Sequence, residues 1–292
     1  MPLYSHSRLS SFENCPKKFH FRYVLQVPQE TEGIEAFVGK RVHEVLERLY
    51  IFVGRDQIPS MQKVVARYHA LFDEHFDGDR IRIVKEGLDV EYYRPLGVDC
   101  LEGYYRRFYP FDQDETLGIE QRVVFHLDEG RQYGLQGIID RVVRAPDGAI
   151  EIHDYKTGGY VPSQKKLDED RQLALYQIGV AREYGDDVPI RLVWHYLAKN
   201  RICTSERTPE QLDALGRETM ALIDAIQAET TFEAKKNRLC DWCEFRSMCP
   251  AWGHTPPGPA EVDAMKARLK AQRSSESAPG EAGAGQSQIR LL

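Results

Sequence analysis

Long apolar runs are missing from this sequence of 292 residues. Nothing approaches the ~20 consecutive apolar residues that cross a bilayer, so no transmembrane helix is expected. The start, Met1-Pro2-Leu3-Tyr4-Ser5-His6, lacks a basic stretch followed by an apolar one. No export leader is therefore expected, and the reading is a cytoplasmic protein with no membrane partner. Cysteine is scarce: six residues are too few for a disulfide scaffold, so clustered cysteines are read first as metal ligands. Positive charge is not in excess. A net charge of −6 excludes a uniformly basic coat, so any nucleic-acid surface must be local. No Gly-x4-Gly-Lys-Ser/Thr loop occurs, so no nucleotide-driven motor is expected, and no internal repeat is evident. What is present is an ordinary globular content, 42% hydrophobic, enough for one large domain or two small ones and too much for wholesale disorder.

Five regions follow from the patterning. Residues 1–34 carry Lys17, Lys18 and Arg22, a local basic excess that suits either phosphate contact or a solvated helix face. Residues 35–118 read as helical. Val38, Val42, Val45, Leu49 and Phe52 mark a helix over 35–53, and further helices are expected near 61–76 and 98–109. Residues 119–228 change character. Short Val/Ile-rich runs at 120–127, 134–144 and 149–156 read as three consecutive antiparallel strands. A helix over 163–184, a strand over 190–198 and a helix from Thr208-Pro209 to about Ala228 complete this region. Residues 229–253 are cysteine-rich. Residues 254–292 read as a tail, with a short charged helix near 261–272 and a Ser/Gly/Ala-rich disordered stretch over 274–287.

The most informative stretch is the hairpin Gly137-Ile138-Ile139-Asp140-Arg141 to Glu151-Ile152-His153-Asp154-Tyr155-Lys156. Between them, Pro146-Asp147-Gly148 suits a type I turn closed by a left-handed glycine, which sets Ala145 opposite Ala149. Carried down the ladder, this register sets Asp140 opposite Asp154, with Cβ atoms ~4.5–5.5 Å apart. Lys156, two residues on, points to the same face. Two carboxylates so close repel unless a cation or proton sits between them, and a hard divalent ion such as Mg²⁺ or Mn²⁺ suits oxygen ligands. The lysine is placed to orient a water or to offset charge on a phosphoryl oxygen.

His43 is a further candidate ligand. Gly39, one helical turn earlier, leaves room where its imidazole leans, although a lone helical histidine is also compatible with a structural role. Gln172 and Tyr176 share one helix face. Cys240-x2-Cys243-x5-Cys249 has metal-ligand spacing, and Cys15, in Asn14-Cys15-Pro16, is the fourth candidate. Cys100 and Cys203 sit inside element-like segments and read as inert thiols. Four thiolates suit an iron–sulfur cluster or structural zinc, and spacing does not separate the two.

Taken in order, Leu9-Ser10-Ser11-Phe12-Glu13-Asn14-Cys15-Pro16, Gly39-Lys40-Arg41-Val42-His43, Gly137-Ile138-Ile139-Asp140-Arg141, Asp154-Tyr155-Lys156-Thr157, Gln172-Leu173-Ala174-Leu175-Tyr176 and the cysteine run resemble the RecB-type branch of the PD-(D/E)XK nucleases. The cysteine pattern is similar to that of its iron–sulfur members, the AddB-type nuclease domains and CRISPR adaptation nucleases among them. The resemblance covers about residues 9–250, with Ile139 where the superfamily signature has proline.

It implies an α/β fold, a restriction-endonuclease-like mixed sheet flanked by helices, with a helical insertion and a C-terminal iron–sulfur clasp. It implies a metal-dependent deoxyribonuclease, read as an exonuclease, acting on single-stranded DNA or DNA with free ends. Mg²⁺ or Mn²⁺ would be held by His43, Asp140, Asp154 and the Tyr155 carbonyl. Lys156 would be the catalytic lysine, with Gln172 and Tyr176 assisting catalysis or holding DNA. Cys15, Cys240, Cys243 and Cys249 would hold a 4Fe–4S cluster, and Lys17, Lys18, Arg22 and Arg141 would contact DNA. A separate helicase or a repair or defence subunit is the implied partner. The competing reading is a catalytically silent DNA-binding or scaffolding subunit with structural zinc.

Overall fold

A computed structural model describes residues 2–185 and 187–276. The described residues form two compact units: one from the segments 2–9 and 33–228, the other from 10–32 and 229–276. Helix α1, His6–Asn14, straddles the first boundary.

In the larger unit, helix α2 (Ile34–Val53) buries Ile34, Phe37, Val38, Val42, Val45, Leu46, Leu49 and Tyr50, the three-and-four spacing of an amphipathic face. It packs against α3 (Met61–His75) and α4 (Val90–Phe108). Ser60 and Asp89 cap these two helices by accepting from the N–H groups of Lys63 and Tyr92. Helix α4 begins eight residues earlier than the sequence predicts, because Asp89 supplies the cap, and it carries Pro95 within its second turn.

The five-stranded sheet runs in simple order: β1 (Glu115–His126), β2 (Gly134–Arg144), β3 (Ile150–Lys156), β4 (Ile190–Tyr196) and β5 (Arg201–Ser205). All neighbours are antiparallel except β3 and β4, whose parallel pairing is bridged by helix α5 (Arg171–Tyr184). Arg141 pairs with His153 and Val142 with Ile152, and Ala145 N–H donates to the Ala149 carbonyl, the register expected from the Pro-Asp-Gly turn. The segment expected as one helix over 163–184 is two, Gln164–Asp168 and α5, because Asp170 caps α5 by accepting from the Gln172 N–H. Strand β5 is not among the expected elements. It is short, at the edge, and only partly apolar. Helix α6 (Pro209–Ala228) closes the unit. No helix among the described residues is long and apolar enough to cross a membrane.

The smaller unit has its own apolar centre of Phe21, Val27, Phe245 and Val262. Val262 belongs to helix α7 (Pro259–Glu276), which includes the short charged helix expected near 261–272; the helix buries Val262 and runs on to Glu276, past the start of the stretch expected to be disordered. The rest of that expected disordered stretch lies outside the described residues.

Candidate active site

Asp140 lies at the point where β2 leaves β3. Ladder pairing stops at Arg141, and from there the Asp140 carboxylate takes over, accepting from the Tyr155 N–H at 2.6 Å through Oδ2. Its other oxygen faces His43 Nδ1 at 3.3 Å. His43 Nε2–H donates to the Tyr155 carbonyl at 2.9 Å. Burial would lower the His43 pKa, but the hydrogen bond and charge of Asp140, with Asp154 behind it, raise it to about 9. Three of the four expected metal-holding groups thus meet directly. Asp154 stands beside them: Oδ2 is 2.7 Å from Lys156 Nζ, and Oδ1 accepts from Gln172 Nε2 at 3.1 Å. Gln172 Oε1 closes the ring by accepting from Lys156 Nζ at 3.0 Å. Burial pushes Asp154 up to about 6 against the pull of Lys156, helped by the charge of Asp140.

Glu120 is a site residue that the sequence does not announce. Its β1 neighbours Ile119 and Gln121 pair with Arg141 and Ile139, so Glu120 faces Asp140, and it adopts the left-handed region with φ of 46°. Ligand atoms of His43, Glu120 and Asp140 lie within 4.8 Å of one another, the only such three-residue group among the described residues. Burial and the Asp140 charge raise Glu120 to about 7, while His43 opposes the rise. Carboxylates crowded into a partly dry site, their protons held to unusually high pH, are what a divalent cation relieves. The donors present, one imidazole with carboxylate and carbonyl oxygens, fit Mg²⁺ or Mn²⁺. A glutamate in a strand looks like surface charge from sequence alone. Its place opposite Asp140 follows from the β1–β2 pairing, which keeps one register from His126 to Gly118.

Two glycines shape the surroundings. A Cβ at Gly39 would lie 3.0 Å from Thr157 Oγ1, so the room expected over His43 is taken by the residue after Lys156. A Cβ at Gly137 would lie 2.1 Å from Tyr176 Cε1. The strand backbone therefore seats the buried Tyr176 ring, one turn along α5 from Gln172.

Arg141 does not meet the expectation of a DNA contact. It is 1% exposed, donates two hydrogen bonds to Asp114 at 2.7 and 3.0 Å, and stacks 4.0 Å over the Tyr50 ring. Its motif position reflects a buried ion pair whose partner lies 27 residues away. In the smaller unit Lys18 pairs with Glu244 at 2.9 Å, Arg22 approaches the same carboxylate at 3.8 Å, and Lys17 donates to the Thr231 carbonyl. Much of the expected basic excess is thus spent internally.

Cys15, Cys240, Cys243 and Cys249 all belong to the smaller unit and are partly exposed free thiols, whereas Cys100 and Cys203 are buried. The N–H groups of Lys235 and Asn237 donate to Cys15 Sγ and Cys240 Sγ, both at 3.4 Å. Burial raises the Cys243 pKa, and Cys15 is among the charges acting on it. Backbone donors aimed at sulfur favour thiolates, so this set fits a metal or iron–sulfur centre.

The family profile of the PD-(D/E)XK nuclease superfamily matches residues 4–250. The chain belongs to this superfamily. Ile139-Asp140 and Asp154-Tyr155-Lys156, the candidate signature pair, lie on adjacent strands β2 and β3. Over 159 residues the chain is 31% identical to a subunit of the ATP-dependent helicase/deoxyribonuclease of Streptococcus pyogenes serotype M3 and 30% identical to its counterpart in serotype M12. Each alignment spans 52% of this chain and 14% of the relative, so the chain corresponds to a small part of those proteins. A crystal structure from Eubacterium rectale, provisionally assigned as an exonuclease, is 13% identical with a TM-score of 0.49, covering 90% of this chain and 93% of that one. The mixed sheet flanked by helices is the restriction-endonuclease-like fold of the superfamily.

Proposed function

We propose that this chain is a divalent-metal-dependent deoxyribonuclease, acting as an exonuclease on DNA with free ends and stabilised by a 4Fe–4S cluster. The observation that carries the reading is the convergence of His43, Glu120 and Asp140 beside the closed ring of Asp154, Lys156 and Gln172. Mg²⁺ or Mn²⁺ would be held by His43, Asp140, Asp154 and the Tyr155 carbonyl, with Glu120 added. When bound, the ion polarises the scissile phosphate and acidifies a water.

The protein's own groups supply the rest. Lys156 remains charged: burial lowers its pKa, but Asp154 overrides this and raises it. Its ammonium, fixed by Asp154 and Gln172, is positioned to orient the attacking water and to donate to the phosphoryl oxygen as negative charge grows there. Gln172 holds the lysine and carboxylate at fixed separation, so neither spends the reaction in an alternative rotamer. Tyr176 walls the site and excludes water. Cys15, Cys240, Cys243 and Cys249 would hold the 4Fe–4S cluster, and DNA is the substrate partner. A separate helicase partner fits the name that the S. pyogenes relatives carry.

End-labelled linear DNA and covalently closed circular DNA, each with Mg²⁺, Mn²⁺ or EDTA, test the reading. Linear DNA should be degraded with either metal, circles should survive, and EDTA or Asp154→Ala should stop the reaction. Degradation that persists in purified Asp154→Ala overturns the assigned site.

A further inference from the structure

The outermost strand β1 and the C-terminal half of α5 enclose a cleft of about 520 Å³ that the catalytic groups do not occupy. Three arginines line it, Arg122, Arg131 and Arg182. Two acids also line it, and both are engaged. Asp128 accepts from the N–H groups of Gln132 and Tyr133, at 3.0 and 2.9 Å, and Glu183 accepts from Gln121 Nε2 at 3.1 Å. Among the described residues, Arg131 and Arg182 have no ion-pair partner, and Arg122 donates only to the neutral Gln136, at 3.0 Å. Three guanidiniums against two carboxylates leave the lining with an excess positive charge, and no ion pair among the described residues engages the three arginines, so their donor forks are open to an anion.

Its position relative to the catalytic groups bears on which anion would fit. Gly179, on the cleft wall, is one turn of α5 beyond Tyr176, which is one turn beyond Gln172, the residue that holds Lys156. On the other wall Val123 pairs with Gly137, the glycine that seats Tyr176. Helix rise sets Arg182 about 15 Å from Gln172 along the same axis. A polyanion with one phosphate at Lys156, laid along α5, would bring its flanking phosphates to the arginines. Arginine forks match phosphate oxygens two at a time.

We propose that this cleft is a phosphate-binding track for the nucleic-acid strand flanking the scissile bond, held by Arg122, Arg131 and Arg182. This rests on the nuclease reading above and adds where the substrate strand runs. These contacts position the strand without reading its sequence.

The test separates strand binding from chemistry. Binding of a fluorescein-labelled single-stranded oligonucleotide is followed by anisotropy in EDTA at ~50–200 mM NaCl, the range over which phosphate contacts show their salt dependence. Hydrolysis of bis(p-nitrophenyl) phosphate with Mn²⁺ is followed separately, because that small ester reaches Lys156 without needing the cleft. The triple variant Arg122→Ala, Arg131→Ala, Arg182→Ala should bind the oligonucleotide at least about tenfold more weakly. Its plot of log affinity against log salt should be shallower by about 2, close to ~0.7 per lost phosphate contact. Hydrolysis of the small ester should be unchanged, which also reports an intact fold. Arg182→Glu alone should weaken binding in the same direction. Equal affinity and equal salt slope in the triple variant and the parent overturn the track while leaving the nuclease reading standing. A parent protein that hydrolyses neither DNA nor the small ester overturns the nuclease reading itself, and the track with it.

Discussion

Replacing Gly137 by alanine should disturb the site without touching any charged group. The new methyl would sit 2.1, 2.6 and 2.9 Å from three atoms of the Tyr176 ring. All three distances are inside van der Waals contact, and the ring is 7% exposed, so it has little room to retreat. Overpacking of this kind costs about 1–3 kcal/mol. Removing the ring instead, by Tyr176→Ala, leaves a cavity and should cost about 3–5 kcal/mol. The two changes are complementary: in the Tyr176→Ala background the Gly137 methyl enters vacated space. It should then be neutral, or stabilising by about 0.5 kcal/mol, since alanine costs a strand less entropy than glycine. The double-mutant cycle should therefore show a coupling of about 1–3 kcal/mol, with the double variant more stable than the sum of the single losses. Urea unfolding by circular dichroism measures all four corners. Hydrolysis by Gly137→Ala should also fall, because Tyr176 shifts while every proposed metal ligand stays in place. Additivity within about 0.5 kcal/mol would show that Gly137 is not there to seat the ring.

In EDTA the protein should lose stability as pH rises from about 6 to about 9. The folded pKa of His43 is raised to about 9, and Glu120 and Asp154 are raised to about 7 and 6. Each such group contributes stability below its unfolded pKa that is lost as pH climbs through the folded value, for His43 up to about 3 kcal/mol. Urea midpoints at the two pH values check this, and a metal-free protein more stable at the higher pH contradicts it. Arg141→Ala strands the Asp114 carboxylate and should cost about 3–5 kcal/mol, whereas Lys18→Ala, at a partly exposed pair, should cost less than about 1 kcal/mol. Similar losses for both would refute the structural role given to Arg141. Cys15→Ser should lose its iron, about four per chain by plasma emission, while Cys100→Ser and Cys203→Ser keep theirs. Iron retained by Cys15→Ser and lost from either control would show that Cys15 is not a ligand.

Local chemistry makes much of this site legible in the sequence. The Pro146-Asp147-Gly148 turn fixes the β2–β3 register, and register carries Asp140 toward Asp154. The apolar stripe of α2 likewise announces the helix bearing His43. Residues whose meaning depends on distant partners are harder to read. Glu120 becomes a site residue only through the β1–β2 pairing that sets it opposite Asp140 and beside His43, with a left-handed φ at its own position. Arg141 looks available until Asp114 and Tyr50 close over it. Val262 looks like tail until Phe21 and Phe245, far apart in the sequence, pack against it. Strand β5 has too few apolar residues for its pattern to rise above that of a loop, and its pairing with β4 alone defines it.

The smaller unit is drawn from two segments far apart in the chain, and this orders its synthesis. Every strand of the sheet, and α6 after it, has left the ribosome once Ala228 is clear of the tunnel, so the larger unit can fold while translation continues. Residues 10–32 emerge before that sheet, whereas Phe232, Asn237 and Phe245, which pack against or bond to that segment, follow it. Throughout that interval Cys15 waits as a lone thiol. A centre held by Cys15 together with Cys240, Cys243 and Cys249, as proposed, would be loaded only after Cys249 is made, and so only once the whole sheet has been synthesised.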